Sequence, residues 1–197
     1  MGKYGAQVQA LLKKAAKLDI QIICPLHGPV LTEDIGHYIE KYDIWSSYRP
    51  EDKGVCIVYS TVYGHTRQAA EYLEEQLERA GVEVQCHKLG ASDIAEAVED
   101  AFRYTHLVLA TTTYNGDVFP YMKEYINHLT ERNFQGRTIA LIENGSWAPQ
   151  ASKVMTKMLE GCKDLTYMPQ TVTIRSALNE ESQAQLDALL EELLKVK

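Results

Sequence analysis

The chain has 197 residues, of which 45% are hydrophobic and 24% are charged, and its formal net charge is -7. This composition is typical of a soluble globular protein, and no segment approaches the roughly 18 uninterrupted apolar residues that a membrane helix needs. Residues 1–53 balance seven basic with seven acidic side chains, so the negative excess lies entirely in residues 54–197. Because nucleic-acid binding requires a basic surface, this distribution argues against a nucleic-acid partner.

The four cysteines are widely separated and form no Cys-x-x-Cys pair. Cys24, Cys56 and Cys86 lie in apolar or strand-like runs, and we expect them to be buried, reduced thiols. The first residues of the chain contain no apolar core of a signal peptide. These features predict a protein of the reducing cytoplasm.

The first fifty residues are predicted to form a small, mainly helical segment. Residues 5–18 place apolar side chains at helical spacing, residues 21–24 are typical of a short strand, and a second helix is predicted from about Thr32. Residues 48–54 are polar and interrupted by proline and glycine, which predicts a linker. A piece of this size is too small for a core of its own. Its apolar faces must therefore be covered by the second domain, by another copy of the chain, or by a missing domain.

From Gly54 onward, strand-like and helix-like segments alternate regularly. The pattern predicts strands at 55–59, 82–87, 105–111, 137–142 and 171–174, and helices at 66–80, 93–103, 120–132, 149–160 and 180–196. Such alternation predicts a parallel sheet with helices on both faces. The fold class is therefore α/β, with a doubly wound, five-stranded parallel sheet and a small N-terminal helical extension.

Three loops of unusual composition follow the predicted central strands. They span Ser60 to Thr66, Thr112 to Pro120, and Glu143 to Pro149. Ligands of doubly wound sheets bind beyond the carboxyl ends of the strands. The first loop leads into a helix, where unpaired backbone N–H groups favour a phosphate, although an ordinary helix cap is the alternative. Because this loop lacks lysine and the Walker spacing, a nucleoside triphosphate site is disfavoured.

The second and third loops offer the groups that a flat aromatic ring needs. Tyr114 and Trp147 have ring faces for stacking, although an aromatic residue alone is more often a packing residue. Hydrogen bonds to the polar edge of such a ring are available from Asn115, Gly116, Asn144, Gly145 and Ser146. Together the three loops predict a site for a phosphate attached to a flat ring.

The run Ser60-Thr-Val-Tyr-Gly-His-Thr66 resembles the phosphate-binding loop of flavodoxins, and residues 54–197 follow the flavodoxin-like order, with strands arranged 2-1-3-4-5. The similarity is closer to the FMN domain of flavodiiron proteins (A-type flavoproteins), whose flavin loops resemble Tyr114-Asn-Gly-Asp117 and Asn144-Gly-Ser-Trp-Ala-Pro149. The resemblance implies non-covalent FMN. The binding residues that it implies are Ser60, Thr61, Val62, Tyr63, Gly64, His65 and Thr66 around the phosphate, and Thr112, Thr113, Tyr114, Asn115, Gly116, Asp117, Asn144, Gly145, Ser146, Trp147 and Ala148 around the isoalloxazine ring.

Residues 23–30 and 42–45 resemble the end of the metallo-β-lactamase-like domain of flavodiiron proteins. The resemblance thus divides the chain into an N-terminal extension, 1–52, and a flavodoxin-like FMN-binding domain, 53–197. In that family a histidine that maps onto His27 binds the di-iron site. The remaining ligands, including a His-x-Glu-x-Asp-His cluster, are absent from this sequence, and one histidine cannot hold two irons. We therefore expect no metal site, with His27 a relic or an ordinary loop residue.

The leading expectation is an FMN-binding electron-transfer flavoprotein that lacks most of the iron domain. Two alternatives stay open: an FMN-dependent NAD(P)H:quinone-type oxidoreductase, and the flavin piece of an oxygen or nitric oxide reductase whose iron domain is on another polypeptide. A receiver-like interaction module is disfavoured because Thr112 and Thr113 follow the third strand, where a phosphorylatable aspartate is needed. By resemblance, the partner is a rubredoxin-like carrier or a flavin reductase, a homodimer is compatible with the sequence, and no membrane partner is expected.

Overall fold

A computed structural model describes residues 2–196 of the chain. The elements are α1 (Gly5–Ala15), α2 (Ile35–Ser46), β1 (Asp52–Tyr59), α3 (His65–Arg79), β2 (Val84–Lys88), α4 (Ile94–Arg103), β3 (Tyr104–Tyr114), β4 (Asp117–Val118), α5 (Pro120–Thr130), β5 (Thr138–Asn144), α6 (Ala151–Met158), β6 (Thr166–Ile174) and α7 (Glu180–Leu193). From β1 onward the helices and strands alternate as the sequence predicts, except that the two-residue strand β4 directly follows β3. Across the described residues, no helix is both long enough and apolar enough to cross a membrane.

The sheet has the strand order β2-β1-β3-β5-β6, and all of these neighbours are parallel. The two-residue strand β4 lies off this path and pairs antiparallel with β3. Without β4, the parallel strands follow the predicted order 2-1-3-4-5, which confirms the fold class. The order reverses between β1 and β3, and ligands of doubly wound sheets bind at this switch point.

Each face of the sheet is covered by helices, and the side chains of β1 alternate between the two faces. Cys56 and Val58 belong to a core with α4, α5 and α6, whereas Val55 and Ile57 belong to a core with α3 and α7. Because both faces are buried, the strand has no polar face, which explains its uninterrupted apolar sequence.

Strand β6 differs most from its prediction, because it begins at Thr166 rather than at residue 171. Its first part contains Pro169, and the pairing with β5 shifts register between Ile139 and Leu141. An edge strand tolerates a proline that a central strand would not accept. Pro169 is therefore the reason that the sequence does not predict the first half of this strand.

The predictions for residues 21–24 and for Cys24 were wrong. Instead of a strand, this part of the chain forms a single antiparallel bridge between Ile23 and Leu31. Cys24 is exposed, because no second layer covers this segment, whereas Cys56 is buried and Cys86 is half-buried.

The N-terminal helices α1 and α2 pack against each other. Gln9 Nε2 of α1 donates a hydrogen bond to Ser46 Oγ of α2 at 2.9 Å. A Cβ atom on Gly5 would lie 2.4 Å from Ser46 O, so only glycine allows this close approach. Large apolar side chains of this segment nevertheless remain exposed, among them Leu11, Leu18, Ile22, Leu26 and Val30.

Candidate functional site

The three loops singled out in the sequence begin side by side at one edge of the sheet. Tyr59 of β1 pairs with Ala110 of β3, and Thr112 of β3 pairs with Asn144 of β5. Since these strands are parallel neighbours, the loops that follow them leave from the same carboxyl edge. This edge includes the β1–β3 switch point.

Two hydroxyl residues of the first loop lie beneath its surface. Ser60 and Thr66 are both 0% exposed. Ser60 Oγ lies 2.6 Å from Thr111 Oγ1, a normal hydrogen-bond length, whereas Thr66 Oγ1 lies 3.4 Å from Thr112 Oγ1. The Thr66 hydroxyl is therefore held much less tightly than that of Ser60.

The tip of the first loop bends sharply into helix α3. Gly64 has a φ of 94° and precedes the first helical residue, His65. The backbone N–H of Gly64 donates to Thr61 Oγ1 at 3.0 Å, and Val62 and Tyr63 are exposed. Among the described residues His65 Nδ1 is buried without a hydrogen-bond partner. Unpaired buried polar atoms are rare in proteins, and this one stands at a helix N-terminus, where anions bind.

The second loop is a tight hairpin between β3 and β4. Asn115 and Gly116 both have positive φ, 52° and 73°, and the flanking Tyr114 and Asp117 are paired across the turn. This is the pattern of a type I′ turn, which Asn-Gly favours. Tyr114 is 53% exposed, and its ring packs edge-on against Phe119 at a centroid distance of 5.6 Å.

Asp117 brings a negative charge to this hairpin. Lys123 Nζ donates to Asp117 Oδ2 at 2.5 Å, and the Val118 N–H donates to Asp117 Oδ1 at 2.8 Å. The hydrogen bond from Lys123, with that from Val118, lowers the pKa of Asp117 below its usual value. The carboxyl group is therefore ionised at neutral pH, and its charge is partly offset by the ammonium group.

The third loop has a fixed base and an exposed aromatic tip. Asn144 Nδ2 donates to Ser176 O at 3.0 Å, and Ser176 N donates back to Asn144 Oδ1 at 3.2 Å. A Cβ atom on Gly145 would lie 2.8 Å from Pro149 Cα, so the loop requires glycine there. Trp147 is 92% exposed. The indole ring is thus open to a ligand, while the backbone that carries it is anchored.

Two further side chains hold the second and third loops to the protein. Thr113 Oγ1 accepts hydrogen bonds from Gln150 N at 2.9 Å and Ala151 N at 3.1 Å, so it caps α6. Glu143 is 6% exposed and accepts from Ser152 N at 2.9 Å and Ser152 Oγ at 2.8 Å. The start of α6 is therefore fixed by the ends of both β3 and β5.

All predicted site residues lie in these three loops or at the adjoining ends of the elements, so the fold gathers them at one edge. Sequence reasoning missed Thr111, Glu143 and Ser176 as supports of the loops. Ser176 follows the end of β6, and the rule that ligands bind beyond the carboxyl ends of strands would have identified it.

His27 lies apart from these loops, exposed in the turn between Ile23 and Leu31. Within residues 2–196, no three His, Cys, Asp or Glu side chains are grouped as a metal ion requires.

A parallel sheet in the order β2-β1-β3-β5-β6, with polar loops at its switch point, is the flavodoxin-like architecture. The family model described as "Flavodoxin domain" matches residues 56–189, and the chain belongs to this family. Membership implies a flavin cofactor.

The chain is similar to the flavodoxin-like part of flavodiiron proteins, which confirms the resemblance found in the sequence. The flavodiiron protein of Giardia intestinalis has a TM-score of 0.88 at 23% identity, over 98% of this chain and 48% of that one. The rubredoxin oxygen:oxidoreductase of Desulfovibrio gigas has a TM-score of 0.84 at 18% identity, with the same coverage. At these identities the likeness shows a shared fold, and its coverage includes the N-terminal segment.

Among curated relatives, the nitric oxide reductase of Moorella thermoacetica is 26% identical over 146 residues, which are 74% of this chain and 36% of that protein. The chain thus spans about half the length of the two structures and about a third of this relative.

Proposed function

We propose that this chain binds FMN at the carboxyl edge of its sheet and serves as an electron-transfer flavin domain of the flavodiiron type. The observation that carries the proposal is the convergence of three specialised loops at the β1–β3 switch point, one of which contains the unpaired, buried His65 Nδ1. Bound FMN would supply one- and two-electron redox chemistry, and the protein would position the cofactor and tune its potential.

The first loop suits the phosphate end of FMN. The N-terminus of α3 favours a dianion, and His65 Nδ1, in the tautomer that carries its proton there, is a donor that has no partner among the described residues. Gly64 N–H donates to Thr61 Oγ1, and because that oxygen only accepts in this bond, the Thr61 hydroxyl keeps its own proton to donate to a phosphate oxygen. Hydroxyl and backbone donors can thus hold the phosphate without a lysine.

The second and third loops suit the ring. Tyr114 and Trp147 are exposed aromatic side chains on two anchored loops, and the Asn115–Gly116 turn presents backbone groups between them. Glu143 lies at the end of β5, and Asp117 follows the end of β3. Among the described residues, the one ion pair that involves either carboxylate joins Asp117 to Lys123. Because added negative charge destabilises an anionic reduced ring, these groups would lower the midpoint potential of the flavin.

The N-terminal residues extend the proposal to the organisation of a longer protein. We assign 1–52 to the end of a metallo-β-lactamase-like domain and 53–197 to the FMN-binding domain, because the structural match covers both while spanning half of each flavodiiron chain. The chain would then be the flavin piece of an oxygen or nitric oxide reductase. Its electron donor would be a rubredoxin-like carrier or a flavin reductase.

The proposal is tested by titrating the flavin-free chain with FMN and following flavin fluorescence, which binding should quench. Riboflavin, which lacks the phosphate, should bind more weakly by at least about tenfold. The reduced, FMN-loaded protein should then reduce ferricytochrome c, a one-electron acceptor. Absence of saturable FMN binding would refute the assignment, whereas FMN binding without electron transfer would refute only the role as a carrier.

A further inference from the structure

A second cavity lies far from the flavin edge. Its volume is about 460 Å³, and it is enclosed between the N-terminal segment and helix α4. Trp45 and Tyr48 line one side, and Val98 and Phe102 line the other. Its size is that of small-molecule sites. It adjoins the amino-terminal ends of the strands, opposite the three loops.

Arg137 forms the floor of this cavity and is only 2% exposed. Its guanidinium group donates to backbone carbonyls of Tyr48, Phe102, Gln135 and Gly136. Across the described residues it has no carboxylate partner, and its Nε atom has no acceptor. Burial lowers the pKa of Arg137 to about 10, and the group is still cationic at neutral pH. The cavity therefore has a buried positive charge that no acid in the described chain neutralises.

Two other arginines that line the cavity are already paired with acids. Arg49 donates to Asp43, and Arg103 Nε donates to Asp52 at 2.7 Å. These two pairs add little net charge to the wall. The net charge of the cavity wall therefore depends on Arg132 and Arg137 and on the two lining acids, Glu51 and Glu99.

Arg132 is the basic group best placed to meet a ligand. Its Nη1 atom donates to His128 O at 2.9 Å, and its closest carboxylate, Glu131, lies at 3.9 Å, beyond hydrogen-bond length. Nη1 also donates to His128 Nδ1 at 3.2 Å, whereas the Nη2 and Nε groups of Arg132 make no hydrogen bond within the described part of the chain. Two acids also line the cavity: Glu99 is exposed at the rim, and Glu51 accepts hydrogen bonds from Lys41 Nζ and from Trp45 Nε1. A basic pocket of this kind stands out in a protein whose net charge is -7.

We propose that this cavity binds an aromatic anion, a flat ring with a single carboxylate or phosphate head. Arg132 would bind the head, with the buried charge of Arg137 behind it. The ring would lie between Trp45 and the α4 side chains Val98 and Phe102. Binding of this anion does not depend on FMN binding.

Trp45 makes the proposal directly measurable, because the chain has only two tryptophans. In a Trp147→Phe variant, Trp45 is the sole indole reporter. The probes are phenyl phosphate and 3-phenylpropionate, which differ in the head; 3-phenylpropanol, which has no charge; and inorganic phosphate, which has no ring. We expect saturable changes in Trp45 emission with both anionic probes, at a Kd at least about tenfold below that of either control.

Arg132→Gln should remove this preference for the anionic probes, whereas Arg79→Gln, a change on the distant helix α3, should leave it intact. Ala95→Leu narrows the cavity from the exposed face of α4 without changing a charge, and it should weaken every aromatic probe equally. Ala95→Leu also keeps the test decisive if Arg132→Gln fails to fold. Calorimetry on the unmutated chain saturated with FMN should give the same affinities.

If a probe binds, three results would overturn the proposal. These are equal binding of the neutral and anionic rings, binding unaffected by both cavity variants, and loss of probe binding when FMN is present. The last result would place the probe in the phosphate loop instead of the cavity. Absence of any saturable binding would equally show that the cavity is not a site of this kind.

Discussion

Thr66→Ala offers the sharpest test of the phosphate loop, because the structure distinguishes it from Ser60→Ala. Both hydroxyls are buried, yet Ser60 Oγ is held by Thr111 at 2.6 Å, and Thr66 Oγ1 has only a 3.4 Å contact with Thr112. The Thr66 hydroxyl lies in the first turn of α3 and can turn to a phosphate oxygen with little loss. The Ser60 hydroxyl would have to abandon a good hydrogen bond.

These hydrogen-bond lengths determine how much each substitution should change FMN affinity and stability. A hydrogen bond to a charged group contributes about 1.5–3 kcal/mol, so Thr66→Ala should raise the Kd for FMN by about 10- to 150-fold. Ser60→Ala removes a partner of a buried hydroxyl, so its main effect should be a loss of about 1–3 kcal/mol in the free energy of unfolding. We expect its effect on FMN affinity to be the smaller of the two.

The assay is fluorescence titration with FMN and with riboflavin, combined with urea unfolding of each flavin-free variant. Thr66→Ala should weaken the binding of FMN but not that of riboflavin, since only FMN has the phosphate. Thr130→Ala, which removes a helical hydroxyl at the far end of α5, is the matched control and should change neither affinity. If Thr66→Ala and Ser60→Ala both bind FMN like the unmutated chain, the loop is an ordinary helix cap.

Three further changes test other parts of the structure. Trp147→Leu should weaken FMN and riboflavin alike by roughly 1–3 kcal/mol in the same titration, as loss of stacking requires, whereas Trp45→Leu should not. Arg137→Met leaves buried backbone carbonyls without their hydrogen-bond donor and should lower the free energy of unfolding in urea by at least about 3 kcal/mol. An unchanged unfolding midpoint would contradict this structural role of Arg137. Burial lowers the pKa of His106, so the unfolded chain binds the proton first, and stability is lost as the pH falls from about 6.5 through the lowered folded value. The His106→Gln variant should therefore lose less stability than the unmutated chain between about pH 7.5 and about pH 5. Equal losses would show that His106 does not cause this pH dependence.

The sheet was predictable because its central strands are buried on both faces. The central runs of β1, β3 and β5 are uninterrupted by polar residues, as strands covered on both faces require, and their alternation with helical segments indicates a parallel sheet. Strand β6 was only half predicted, since Pro169 signals a break that an edge strand absorbs through a register shift. Local sequence does not reveal which strand will stand at an edge.

The candidate site was predictable in its location but not in its internal supports. Loop composition after each strand pointed to one edge, and the sheet brings those loops together. The side chain of Thr113, in contrast, caps α6, and that of Ser60 bonds to Thr111. Such roles depend on which residue lies opposite across strands, which a single sequence does not specify.

Under the proposed function, the shape of the domain decides where electrons are exchanged. Strand β1 has 8 residues, so its first and last Cα atoms are about 23 Å apart at about 3.3 Å per residue. The flavin loops stand at one end, and the N-terminal segment is tied to the other through the bond from Arg137 to Tyr48 O. A partner that contacts only the N-terminal segment of the same copy is therefore a full strand length from the flavin. Electron exchange must take place at the opposite edge, where Tyr63 and Trp147 are exposed.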